Sequence, residues 1–405
     1  MSLDLRTGKP VWLIHKPYIA IHKKLKKNIT SQVVVVGGGI SGALIAHRLT
    51  NLGMQVTIID RRKIGAGSTA ASTAILSYEA DVNLGELIQK IGRRSAVRAY
   101  QAGIEAIKSI ANTIKTLDDK CDFKTRQSLY LASSPEDVEL LEREYKIRKE
   151  NKFDVKFLRQ RRLAKLFSLD APCAILNEDA AEVDPLKLTL ALVRDAQKKG
   201  LRVYIHTRVK KYRRRGRGSV LTTDSNLQIR AQHVVFATGY ETQEILRQRT
   251  VRLVSSYAIA SKPGMNFPKG YRHPVIWETK RPYLYVRTMA GGRVVAGGED
   301  VDFVDEEKRD QLLPAKTKIL ERKIQAMLPH INWKLAAAWT GTFAESRDGL
   351  PYIGAHRRYP GAFFALGYGG NGITFSAIAS SIIPSLIADQ KNADAPIFRF
   401  GRKSR

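Results

Sequence analysis

The chain has 405 residues, enough for more than one core, and 43% are hydrophobic, as a globular interior requires. Lys and Arg number 68 against 38 Asp and Glu, a formal charge of +30, which would draw nucleic acid or an anionic surface toward the chain. No apolar run reaches the length of a membrane span, Asp4 and Arg6 precede any secretory apolar region, and Cys121 and Cys173 are too few for a disulfide scaffold. A cytoplasmic, reducing compartment is therefore expected. No Cys/His cluster has metal-ligand spacing, so no metal is expected.

Residues 1–30 have little periodicity and read as an arm, with Val11–Ile14 able to pack on the body and a basic run of Lys23, Lys24, Lys26 and Lys27. Val33–Val36 then read as a buried strand. The turn Gly37-Gly38-Gly39-Ile40-Ser41-Gly42 and a helix follow, then Val56–Ile59 as a second strand ending at Asp60. This is the dinucleotide fingerprint in its full context. Gly37 permits the tight turn, Gly39 lets a pyrophosphate approach the backbone, and Gly42 lets the helix pack on the sheet. The helix N-terminus offers N–H groups to phosphate, and Asp60 is placed to accept bonds from a ribose diol. The small-residue loop Gly65–Ser72 comes next and suits a second phosphate contact.

Residues 84–167 read as mostly helical, and Lys187–Lys198 as a helix stopped by Gly200. Arg202–Thr207 reads as a strand. The basic stretch from Arg208 to Arg217 and the return Ser219–Thr222 read as a hairpin turning at Gly216. Ala231–Ala237 reads as a strand returning to the dinucleotide sheet, with Thr238-Gly239 as its turn. Val275–Trp277, Tyr283–Arg287 and Arg293–Gly298 read as strands of a second, antiparallel sheet. Residues 305–327 read as a helix kinked or split at Pro314. Asp348-Gly349-Leu350-Pro351 and Gly367-Tyr368-Gly369-Gly370-Asn371-Gly372 then lead into a helix over Phe375–Ile387, before a basic tail with Arg399, Arg402, Lys403 and Arg405.

With these motifs in order over most of residues 32–390, the chain resembles the glycine oxidase/D-amino acid oxidase family of FAD-dependent amine oxidoreductases. The resemblance implies an α/β Rossmann-like FAD-binding domain with a mainly parallel sheet, interleaved with an α+β substrate domain on an antiparallel sheet. The implied boundaries are 1–30 for the arm, 31–98, 170–254 and 335–395 for the FAD-binding domain, 99–169 and 255–334 for the substrate domain, and 396–405 for the tail. FAD contacts are implied for Gly37, Gly39, Ile40, Ser41, Gly42, Asp60, Arg61, Gly67, Ser68, Thr69, Ala70, Val209, Thr238 and Gly239. They are implied also for Gly369, Gly370, Asn371, Gly372, Ile373 and Thr374, whose glycine turn and helix N-terminus would put N–H donors beside the flavin pyrimidine ring. Covalent attachment in the family uses a Cys or His at particular positions. Cys121 and Cys173 are remote from the Asp348 motif and residues 66–78 hold no His, so FAD is expected to be non-covalent.

The implied reaction is oxidation of the C–N bond of a small amine or amino acid, by hydride transfer to flavin N5, to an imine that hydrolyses. The electron acceptor stays open, with O2 one candidate. The alternative is a flavoenzyme of the same fold acting on a modified tRNA or other polyanion held by the basic clusters. Tyr283, Tyr285 and Arg287 alternate and so share a face. That face is read as the substrate wall, with Arg287 pairing a carboxylate. The sequence departs from amino-acid-oxidising members at Phe343, where they carry a carboxylate-binding Arg; either the substrate is an amine without an α-carboxylate, or Arg287 or nearby Arg347 replaces the missing cation. Glu79 and Glu278 are read as structural, and no general base is named.

Overall fold

Four successive valines buried on both faces need a sheet with a layer on each side. In the computed structural model, which describes residues 6–14, 22–246, 251–303 and 305–402, Val33–Val36 end the strand Ile29–Val36 at the centre of an eight-stranded sheet. The parallel strands Arg202–Tyr204, Val56–Ile59, Ile29–Val36, Gln228–Phe236 and Ala362–Leu366 lie side by side in that order. Tyr352–Ala355 closes one edge antiparallel. The hairpin Val209–Arg215 and Gly218–Thr223 joins antiparallel to the first half of Gln228–Phe236. Parts of the N-terminal arm, and Lys403 and Arg405 of the basic tail, lie outside the described residues.

Helix Ile40–Asn51 packs against helices Gly372–Ile387 and Pro185–Lys198. Asp184 caps the last of these, its carboxylate accepting the N–H groups of Leu186 and Lys187 at 2.9 Å each. This carboxylate at the helix start explains why the helix begins at Pro185 rather than Lys187.

The second sheet has nine strands. Arg252–Ser261, Arg293–Val301, Tyr285–Met289 and Val275–Glu278 form its antiparallel centre, with Leu335–Glu345 at one edge. Lys124–Leu131 pairs parallel to Val275–Glu278 and antiparallel to Cys173–Glu182. Two stretches that the sequence boundaries give to the FAD-binding domain, Cys173–Glu182 and Leu335–Glu345, thus pair in this sheet. The region 84–167 carries four helices, Leu84–Ile91, Arg93–Thr116, Val138–Glu150 and Gln160–Phe167, but also strands Lys124–Leu131 and Val155–Arg159.

Helix Glu306–Met327 covers the far side of the second sheet with Leu320 and Ile324. It runs unbroken past Pro314, so the expected split does not occur. A proline in the third turn forfeits one backbone bond, and packing on the sheet and the Asp305 cap hold the element together. Among the described residues, no helix is long and apolar enough to cross a membrane.

Candidate functional site

The two sheets meet along a cleft whose empty space, open solvent at its mouth included, is about 2290 Å³. One end is built on the glycine turn. Gly37 has φ +112°, and a Cβ there would lie 2.3 Å from the Ala237 carbonyl oxygen. A Cβ on Gly42 would lie 1.8 Å from the Gly37 carbonyl. Neither position admits a side chain, so the turn and helix can close together only with glycine. Gly37, Gly39, Ile40 and Ser41 line the cleft, whereas Gly42 lies behind it as a packing residue.

Asp60 ends its strand in the cleft wall. Its Oδ2 accepts the Gly38 N–H and its Oδ1 the Arg62 N–H, each at 2.6 Å. Burial holds its carboxyl above the usual aspartate range, against the pull of those two N–H groups. A carboxylate has about four acceptor sites, so capacity for a diol is left over. Arg61 lines the same end, paired with Glu241, and Val209, Thr238 and Gly239 complete it.

Gly67, Ser68 and Thr69 also line the cleft; Ala70 is buried and does not. Thr69 Oγ1 accepts the first N–H of the glycine-turn helix, from Ile40, at 3.0 Å. Ser68 Oγ is buried with no hydrogen-bond partner among the described residues. Further along, Gly369, Gly370, Asn371, Gly372 and Ile373 line the cleft at the start of helix Gly372–Ile387. Thr374 is buried beside them, off the cleft lining, and its Oγ1 also has no hydrogen-bond partner among the described residues. A buried lining hydroxyl without a partner among the described residues, Ser68 Oγ, two glycine-rich helix starts and an acid at a strand end are what an elongated dinucleotide requires. The residues present fit FAD on that test.

The substrate-side wall departs from the expectation. Tyr283 and Tyr285 line the cleft, their ring centroids 5.7 Å apart. Arg287 does not. Its guanidinium is buried past the end of the cleft and donates to the Ala74 carbonyl at 2.6 Å and the Val183 carbonyl at 3.1 Å. Glu182 lies 3.9 Å away, and the Trp12 ring covers the guanidinium at 5.4 Å. Alternation put Arg287 on the right face, but Trp12 and the 74 and 183 segments close over that face two residues beyond Tyr285. Arg347 is exposed and also off the cleft. Phe343 lines it at the position expected for a carboxylate-binding arginine.

Sequence reasoning missed Asp81, Asp300, Trp277 and Arg281, which all line this end. Asp81 accepts the Gly370 N–H at 2.9 Å. The Arg281 guanidinium lies 4.6 Å over the Tyr283 ring and donates to the Asp81 carbonyl at 2.8 Å. Trp277 stacks on Tyr130, centroids 3.7 Å apart. Neither aspartate sits in a motif, so no sequence signal marked them. Glu79 lines the cleft but is committed to Arg148, Asn177 and Ser77, and Glu278 accepts the Leu284 N–H at 3.0 Å. Glu79 is thus occupied by these partners, and Glu278 lies off the cleft lining.

Residues 32–383 match the model of a family described as FAD-dependent oxidoreductase. Glycine oxidase of Bacillus licheniformis is 25% identical over 366 residues, which are 87% of this chain and 92% of the relative. Gamma-glutamylputrescine oxidoreductase of Escherichia coli strain K12 is 23% identical over 393 residues, 92% of this chain and 87% of the relative. Among solved structures, glycine oxidase from Geobacillus kaustophilus superimposes with a TM-score of 0.78 at 20% identity, covering 92% of this chain and 99% of that one.

Proposed function

Because this chain belongs to the FAD-dependent oxidoreductase family, we propose that it oxidises the C–N bond of a small amine, the relatives named for glycine and gamma-glutamylputrescine being both amine substrates. The observation that carries this reading is the continuity of the cleft. One cleft is lined by the glycine turn and Asp60, by Ser68, by the start of helix Gly372–Ile387, and by Tyr283, Tyr285 and Trp277. Bound FAD would supply a two-electron acceptor that takes hydride, at N5, from the carbon bearing the nitrogen.

The chain's own residues do the rest. Gly39, Ile40, Ser41 and Ser68 would hold the pyrophosphate and Asp60 the ribose. The N–H groups of Gly372 and Ile373, at the positive end of a 16-residue helix, would stabilise negative charge gained by the pyrimidine side. Tyr283, Tyr285 and Trp277 exclude water and hold the substrate carbon in place. The amine enters neutral, so no side-chain base is required; the product imine hydrolyses after release. FAD is held without a covalent bond.

The test is anaerobic. Yellow protein is mixed with glycine, sarcosine, proline, D-amino acids and simple amines while the visible flavin band is followed. Bleaching by an amine is the expected result, and readmitted air then tells an oxidase from a dehydrogenase. Flavin that stays oxidised with every amine would sink the reading. Acid precipitation that leaves the yellow colour in the supernatant checks non-covalent binding.

A further inference from the structure

We propose that the substrate carries a second, non-reacting cationic group, as a diamine does, and that Asp300 together with the Tyr283–Tyr285 wall binds it. This rests on the amine-oxidising reading above. The substrate end of the cleft is acidic in a chain that is otherwise strongly basic. Asp81 and Asp300 both line it, and Glu345 is close enough to oppose the ionisation of each. With 68 basic residues against 38 acidic, two lining aspartates against the single lining cation Arg281 at this end run against the bulk composition.

Asp300 Oδ1 is sealed from solvent and has no hydrogen-bond partner among the described residues. An unfilled acceptor of this kind is costly unless a donor arrives with the ligand. The neighbouring surface is aromatic, from Tyr283, Tyr285 and Trp277, and aromatic faces attract an ammonium. The wall already holds one cation of the protein's own. The Arg281 guanidinium rests on the Tyr283 ring and bonds the Asp81 backbone carbonyl; its charge and the Ser256 hydroxyl favour the ionised form of Asp300, yet no donor reaches Asp300 Oδ1 among the described residues. Of the positions expected to recognise an α-carboxylate, Arg287 is spent on backbone carbonyls, Arg347 lies outside and position 343 is phenylalanine, while Arg281 on the wall is held over the Tyr283 ring and against the Asp81 carbonyl.

The experiment compares three probes of one length, namely 1,4-diaminobutane, butylamine and 4-aminobutyrate, on the FAD-loaded full chain and on Asp300→Asn. Steady-state turnover with an artificial electron acceptor gives KM, anaerobic flavin reduction gives the limiting rate, and calorimetry gives the affinity for 1,4-diaminobutane. The expected result is a KM for the diamine at least tenfold below that for butylamine. In Asp300→Asn that advantage collapses, with flavin content retained and diamine affinity at least tenfold weaker. A preference for 4-aminobutyrate, or a diamine advantage untouched in Asp300→Asn, overturns the proposal. Diamine binding that depends on Asp300 but never bleaches the flavin supports the cation site and overturns amine oxidation instead, so the two failures are distinguishable.

Discussion

Arg287 shows what a single residue type conceals. Its guanidinium bonds two backbone carbonyls and sits beneath Trp12, whose indole N–H in turn holds the Ser72 carbonyl at 2.8 Å. Together they brace the loop that carries Gly67–Thr69. Arg287→Met should therefore cost about 3 kcal/mol of stability, since buried acceptors lose their donor, and should leave KM within about twofold. Thermal denaturation and steady-state kinetics check this; a KM rise with unchanged melting would restore the carboxylate-binding role. A second residue-scale prediction concerns Asp81 and Asp300, each pushed up to about 6, mainly by burial. Asp81 faces the Gly370 N–H, Glu345, Arg281, Asp300, Tyr240 and Tyr283. Asp300 faces Ser256, Glu345, Arg281, Glu299, Tyr283 and Tyr285. A raised carboxyl binds more protons folded than unfolded between pH 3.8 and about 6, so its contribution to stability falls as pH rises through that window. Asp81→Asn/Asp300→Asn should gain on the parent chain from pH 4 to pH 7 in urea denaturation, and parallel curves would refute the assignment. These aspartates were illegible in the sequence because one lies in an irregular loop and the other beyond Gly297-Gly298. Alternation along one strand, likewise, cannot show where a neighbouring segment closes the face.

At the level of elements, the cofactor end was the legible part. Strand, glycine turn, helix, strand and acid are local in sequence, so spacing alone fixes their geometry, and Thr238-Gly239 and Gly369–Ile373 reach the same cleft as expected. The glycines are not equivalent, however. A Cβ on Gly42 collides with the Gly37 carbonyl, whereas a Cβ on Gly372 meets nothing nearer than the Tyr368 Cβ at 3.8 Å. Gly42→Ala should break the turn and yield protein without flavin. Gly372→Ala should fold normally, with melting of the apoprotein unchanged or slightly raised because alanine suits a helix start better than glycine. Its FAD affinity should still drop, since the methyl enters the cleft. Fluorescence titration of apoprotein with FAD measures both, and unchanged affinity in Gly372→Ala would move the cofactor away from this helix. What the motifs did not convey was partnership across sheets. Cys173–Glu182 and Leu335–Glu345 carry no signature telling which sheet they join, and pairing with Lys124–Leu131 and Arg252–Ser261 decides it.

Across the whole molecule, the basic clusters gather around one apolar seam. Leu25, Leu221 and Ile229 share a core cluster, and the Tyr212 and Tyr359 rings meet at 5.7 Å. The Tyr212–Tyr359 contact sets the Val209–Arg215 strand beside Arg357–Arg358, and Leu25 roots Lys23–Lys27 in the same core cluster. None of the exposed Lys23, Lys24, Lys26, Lys27, Lys210, Lys211, Arg213, Arg214, Arg215, Arg217, Arg357 and Arg358 makes an ion pair among the described residues. Their mutual repulsion is screened within about 8 Å at physiological salt. The melting temperature should therefore rise by a few degrees between low and physiological ionic strength; a fall would mean that ion pairs elsewhere, such as Arg252–Glu345 and Arg98–Asp394, outweigh it. The glycine turn that closes against Ala237 also has a kinetic meaning. A nascent chain completes Gly37–Gly42 long before it emits its stop at Ala237 or the helix at Gly372, and strand Ile29–Val36 must wait for Gln228–Phe236 to fill its second flank. Closing so large a loop makes refolding slow. FAD can recognise only the finished cleft, so adding it to a refolding mixture should raise the yield of native protein while leaving the rate of the slow phase where it was.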